Sequence, residues 1–163
     1  MLDTAKIRKL REALGLSLSQ AAARAEFKSR QQWHRIETGA GKGSVTMRTL
    51  ARIAEALEQD PADLLLRNES LRTTAHAPLS AARRGLRPQR IGYIPALDHA
   101  HMKKLRIARH LTVQEAAEQA DITSDEWWQM EAGKRPTVTL GTLAKLARVL
   151  CVDPRDLLAM PSL

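Results

Sequence analysis

The pattern that most narrows the fold is a set of helix-start signals that occurs twice. Ser17 to Glu37 (SLSQAAARAEFKSRQQWHRIE) and Thr112 to Glu131 (TVQEAAEQADITSDEWWQME) each carry two of them. Ser17 with Gln20 and Ser29 with Gln32 have the S-x-x-Q form of a capping box, and Thr112/Glu115 and Thr123/Glu126 repeat it. A capping box satisfies two backbone donors that a helix start leaves unpaired, so the four pairs divide each stretch into helix, turn, helix. Between the boxes stand Ala21, Ala22, Ala25 and Phe27 in one copy and Ala116, Ala117, Ala120 and Ile122 in the other. Alanines let two helices cross closely, and Phe27 or Ile122 plugs the corner.

The two stretches belong to a longer repeat. Leu10, Leu16 and Ala22 align with Leu105, Leu111 and Ala117 at an offset of 95, whereas Trp33, Glu37 and Gly39 align with Trp127, Glu131 and Gly133 at an offset of 94. The slip places one extra residue, most simply Lys28, in the turn of the first copy. The 163 residues therefore split into two copies of roughly 60 residues, each sufficient for a small helical domain with its own core.

Past the turns the copies continue in step: Glu37-Thr38-Gly39 and Glu131-Ala132-Gly133, then TMRTLARIAEAL and TLGTLAKLARVL, then DPADLL and DPRDLL. In this order the segments resemble, twice over, the lambda-repressor-like (Xre-type) helix-turn-helix domain of phage and bacterial regulators. The resemblance covers about two thirds of the chain. It implies an all-α protein of two five-helix domains, residues 1–68 and 102–163, joined by a long basic linker, 69–101. It also implies that the third helix of each domain enters the DNA major groove, early residues and one a turn later facing base edges.

Apolar spacing agrees. Thr4 to Leu14 reads as a first helix with Ile7, Leu10 and Leu14 on one face and Lys6, Arg8, Lys9 and Arg11 on the other, ended by Gly15. Helices follow over 18–24, 30–38 and 47–57, the last with Leu50, Ile53, Ala54 and Leu57 facing the core. Asp60-Pro61 then gives an N-cap and a first-turn proline to a fifth helix closed by Leu64 and Leu65. In the second copy the first helix ends near His110, and the next cover 113–119, 124–132 and 140–150 before Asp153-Pro154. The connection turns basic over 83–90 and then reads as a short extended segment over 91–95. Its length suits a link between domains rather than a loop inside one. Its arginines are either solvated or a basic arm along DNA, and Tyr93 is a candidate contact with a second chain.

Charge is unevenly spread. Residues 1–68 hold 12 basic and 8 acidic groups, 69–101 hold 5 and 2, and 102–163 hold 9 and 8, so the net +8 divides as +4, +3 and +1. A basic first domain and linker favour a polyanion bound with counterion release; the second domain is nearly neutral.

In the first domain Arg30, Gln31, His34 and Arg35 lie opposite Trp33 and Ile36, which must face the core. Arginine pairs with guanine O6 and N7, and glutamine with adenine N6 and N7, so this face has base-reading chemistry beyond that of a merely solvated surface. The equivalent Ser124, Asp125 and Gln129 stand beside Glu126 and Trp128, where carboxylates approach phosphates unfavourably. Trp127 matches Trp33 and belongs in the core; Trp128 falls at an outward position and suits a protein interface. The second domain therefore reads DNA or makes protein contacts. Both copies depart from the resemblance at the first residue of the second helix, often a phosphate-clamping glutamine and here Leu18 or Val113. Ser17, Ser19, Lys28, Lys42 and the linker's Arg83, Arg84 and Arg87 then have to supply the phosphate contacts.

Other classes are disfavoured. The loop Gly39-Ala40-Gly41-Lys42-Gly43 lacks the order and preceding strand of a phosphate-binding loop. His99, His101 and His110 lack zinc-ligand spacing, so no metal or other cofactor is expected, and no catalytic constellation indicates an enzyme. The lone Cys151 fits a reducing compartment and, in an apolar run, a core position. The N-terminus lacks a signal-peptide core and no apolar run spans a membrane, which points to the cytoplasm. The expectation is a transcriptional regulator, a repressor that binds a double-stranded DNA operator as a homodimer. The alternative is an antitoxin or antiactivator whose acidic, Trp-bearing second domain binds a protein partner.

Overall fold

A computed structural model of the chain describes residues 2–40, 45–66 and 92–159. Lys42, Arg83, Arg84 and Arg87 lie outside them. The described residues form eight α-helices and two 3-10 turns, in two compact units. One consists mainly of the residues up to Leu66 with the segment ending at Pro95, the other mainly of residues from Ala96 onward.

In the first unit α1 (Thr4–Ala13), α2 (Leu18–Arg24), α3 (Arg30–Thr38) and α4 (Met47–Ala56) precede a 3-10 turn, Pro61–Leu64. In the second, α5 (His99–Ala108), α6 (Val113–Gln119), α7 (Ser124–Glu131) and α8 (Leu140–Leu150) precede Pro154–Leu157. Each unit closes in the same way. The Asp3 amide donates to the Leu64 carbonyl at 2.8 Å beside a Leu2–Leu65 bridge; the Asp98 amide donates to Leu157 at 2.8 Å beside Leu97–Leu158. The cores are built of Ile7, Ala21, Ala22, Trp33, Leu50, Ile53 and Leu64 in one unit and Met102, Ala116, Ala117, Trp127, Leu143, Leu146 and Leu157 in the other, all nearly inaccessible.

Helix ends repeat as well. Gly15 and His110, Glu26 and Asp121, Glu58 and Cys151, and Gly39 and Gly133 occupy matching sites, all with positive φ between 51° and 75°. Each lets the backbone leave a helix in the left-handed region, which only glycine enters freely. Cys151 is accordingly half-buried at a helix end rather than in the core.

Four further expectations change. The Ser17/Gln20, Thr112/Glu115 and Thr123/Glu126 capping boxes form, but Ser29 makes no side-chain cap bond. At the formed boxes the cap residue has φ between −77° and −68°; at Ser29 φ is −157°, which swings the hydroxyl away from the helix. The longer turn is the cause. The Phe27 and Ile122 amides both donate to the matching alanine carbonyls, Ala22 and Ala117, so the chains stay in register to that point and Lys28 is the added residue. The fifth helix of each domain is a four-residue 3-10 turn, because Asp60 and Asp153 cap it while Leu65 and Leu158 are already extended. The second unit starts earlier than residue 102: Asp98 caps α5 through the His101 amide at 2.9 Å, inside the span 69–101. Leu14, at the C-cap of α1, is 38% exposed rather than in the core.

Candidate nucleic-acid interface

α3 is held by three inward side chains. Trp33 is fully buried, Ile36 nearly so, and Glu37 is 6% exposed. The Glu37 carboxylate accepts from Arg11 Nε at 2.6 Å, from Arg11 Nη2 at 3.3 Å and from Trp33 Nε1 at 2.7 Å. Arg11 Nη1 donates onward to the Leu16 carbonyl at 2.9 Å, so one guanidinium ties α1, the α1–α2 turn and α3 together. Burial pushes the Glu37 carboxyl up, but hydrogen bonds from Arg11 and Trp33 and the charges of Arg11 and Arg8 outweigh it and hold the group below its ordinary value. The hydrogen bond with Glu37 raises Arg11 in turn.

The second unit repeats this fork. Arg106 Nε and Nη2 reach Glu131 at 2.7 and 3.0 Å, Trp127 Nε1 donates to Glu131 at 2.7 Å, and Arg106 Nη1 donates to Leu111 at 2.7 Å. Sequence reasoning placed Arg11 on a solvated face and missed the fork. The signal was there: Arg11 and Arg106 align at the repeat offset of 95.

With the inner side of α3 fixed, Arg30, Gln31, His34 and Arg35 are all exposed on the other. At about 100° of rotation per residue they cover an arc of about 140°, and Arg30 to Arg35 spans about 7.5 Å of helix axis. That length matches about two base-pair steps. Among the described residues neither Arg30 nor Arg35 has an ion-pair partner, whereas Arg24 is paired with Glu58 and Arg52 with Glu26. Ser17, Ser19 and Lys28 are exposed nearby in sequence. The Ser17 oxygen accepts the Gln20 amide in its box, while Gln20 Oε1 is occupied by the Ser17 amide.

This arrangement, two closely crossing helices with the second held from behind and its polar face open, is matched by a family model described as "Helix-turn-helix domain", over residues 4–66 and again over 100–160. The chain belongs to this family. It is a tandem helix-turn-helix protein of the Xre-like kind, a DNA-binding regulator. Neither the curated proteins nor the solved structures gave a match.

The second head of the tandem protein carries a different outer face. Ser124 and Asp125 are exposed and Gln129 is half-buried, its side-chain amide donating to Asp125 at 2.6 Å. Glu126 accepts from the Thr123 amide and from Arg135 at 3.1 Å, and these two contacts, the amide first, hold its carboxyl below its ordinary value. Trp128 is 48% exposed with Lys134 Nζ 4.3 Å from its ring centroid, a cation–π contact. Tyr93, at the end of the connection, is half-buried and donates its hydroxyl to Asp60 at 3.2 Å. Among the described residues no helix is long and apolar enough to cross a membrane, and no group of three or more His, Cys, Asp or Glu is arranged to hold a metal.

Proposed function

We propose that this chain is a sequence-specific transcriptional repressor that acts by occupying an operator, with α3 reading bases in the major groove. The observation that carries this reading is the open face of Arg30, Gln31, His34 and Arg35, whose two arginines are free of ion pairs among the described residues and can give paired bonds to guanine. Ser17, Ser19 and Lys28 contact the phosphates that set the register of α3, and Lys42, Arg83, Arg84 and Arg87 add sequence-independent charge attraction. The reading head is the domain over residues 1–68.

The second domain, 102–163 with the preceding turn, serves protein contact. At the positions that are Arg30, Gln31, His34 and Arg35 in α3, α7 has Ser124, Asp125, Trp128 and Gln129. That exchange removes both paired-bond arginines, adds a carboxylate that phosphates repel, and exposes a large aromatic ring suited to a protein partner.

Selection of binding sites from random duplex DNA tests both parts. Full-length protein should yield a defined motif, and Arg35→Ala should relax one position in it at a cost of about 1–3 kcal/mol. A motif unchanged by Arg35→Ala removes that residue from the reading set; the absence of any motif removes the repressor reading.

A further inference from the structure

Two charges on α4 stand at the wrong ends of the helix. Arg48 is in its first turn and Glu55 in its last, both exposed. The helix dipole favours the reverse, an anion near the N-terminus and a cation near the C-terminus. The matching positions of α8 differ: Gly141 stands for Arg48, and Arg148, a cation in the last turn, stands for Glu55. Among the described residues neither the Arg48 nor the Glu55 side chain has an ion-pair or hydrogen-bond partner. The charge between them, by contrast, belongs to the shared scaffold. Arg52 binds Glu26 at 3.0 Å, and its counterpart Lys145 binds Asp121 at 2.8 Å.

Arg48 and Glu55 line one cavity of about 340 Å³, within the size range of small-ligand pockets. Residues 48, 51, 52 and 55 form one face of α4, on which Arg48 and Glu55 are separated by on the order of 10 Å along the axis. Buried Ala51 lies between them, and Gly92 and the exposed Ile94 of the connection form another part of the wall. Tyr93, between those two, is anchored to Asp60 at 3.2 Å, and all these residues belong to the first unit. We propose that this cavity binds a small linear zwitterion, a carboxylate and an ammonium joined by a short apolar chain. Arg48 takes the carboxylate, Glu55 takes the ammonium, and Ala51 and Ile94 flank the chain. A ligand in this orientation places its anion at the start of α4 and its cation at the end, the arrangement that the dipole favours. A simple anion uses Arg48 alone and is repelled by Glu55. Because Gly92 and Ile94 are part of the wall, binding also fastens the end of the connection to the first unit.

Titration of full-length protein with ε-aminocaproate, followed through amide chemical shifts, tests the site. The probe should saturate, shift the amides of α4 and of residues 92–94, and bind about fivefold tighter than caproate or hexylamine, each of which engages one charge only. Arg48→Gln and Glu55→Gln should each weaken it by about fivefold as well. Both variants should unfold at or above the wild-type temperature, because each removes a charge that the helix dipole opposes. The proposal is overturned if ε-aminocaproate does not saturate, if caproate or hexylamine matches it, or if its affinity survives either substitution. A fall in unfolding temperature in either variant assigns that charge to the fold and overturns its place in the site.

Discussion

Glu37→Ala removes the acceptor on which Arg11 and Trp33 converge. The Arg11 side chain is 13% exposed and would lose its buried counter-charge, keeping only the exposed Glu12 at 3.3 Å, and the fully buried Trp33 would lose the acceptor 2.7 Å from Nε1. Deleting one partner of a buried ion pair costs about 3–5 kcal/mol, and orphaning a buried donor about 1–3 kcal/mol. Arg11 keeps its bond to Leu16, which offsets part of this, so about 4 kcal/mol is expected. A domain of this size has about 3–9 kcal/mol in all, so the first unit should be at or near the edge of unfolding. Glu37→Gln keeps an acceptor for Trp33 without the charge and should fall between the variant and wild type. Native-state hydrogen exchange read separately on peptides from α1–α3 and α5–α7 isolates the affected unit. A loss below about 1 kcal/mol in α1–α3, the worth of an exposed pair, would refute the fork as the support of α3. The sign with pH follows from the same group. The folded-state Glu37 carboxyl lies below its unfolded value, so its contribution is complete above about pH 4.3 and disappears as pH falls through the lower folded value. Acidification through that window should destabilise α1–α3 in wild type and less so in Glu37→Gln.

The other predictions are local. Thr123→Ala should cost about 1 kcal/mol by removing a formed cap, whereas Ser29→Ala should cost under about 0.5 kcal/mol; chemical denaturation compares them. His110→Gly should stabilise the second unit by up to about 1 kcal/mol, because φ of +55° there strains any residue with a Cβ; an unchanged denaturation midpoint would count against it. Lys28→Ala should weaken operator binding evenly across sequences and lower the salt slope by about 1, as measured by titrations over a range of salt.

Much of the fold was legible because its determinants are local. α2, α3, α6 and α8 have the bounds that apolar spacing and capping residues predict, and the outward residues of α3 follow from Trp33 and Ile36 alone. What was not legible depends on tertiary geometry. An arginine in a row of basic residues on α1 reads as solvated until α3 brings Glu37 against it. Ser29 reads as a cap until the added Lys28 rotates its backbone. Cys151 reads as core because its neighbours are apolar, yet the helix ends there and turns it to a left-handed bend. Leu97 and Asp98 read as linker because their partners lie far along the chain: the Leu97 amide donates to Pro136, the Asp98 amide to Leu157, and Leu97 bridges Leu158.

The twin forks separate upkeep from employment. In both units the groups that fasten the third helix point inward and are the same three types, arginine, glutamate and tryptophan, while none of the four outward positions keeps its residue between the copies. A surface that bears none of the scaffold's weight is free to change occupation. On the function proposed above, one half of this molecule keeps the vocabulary of bases and phosphates, and the other, on the same frame, has been released from it.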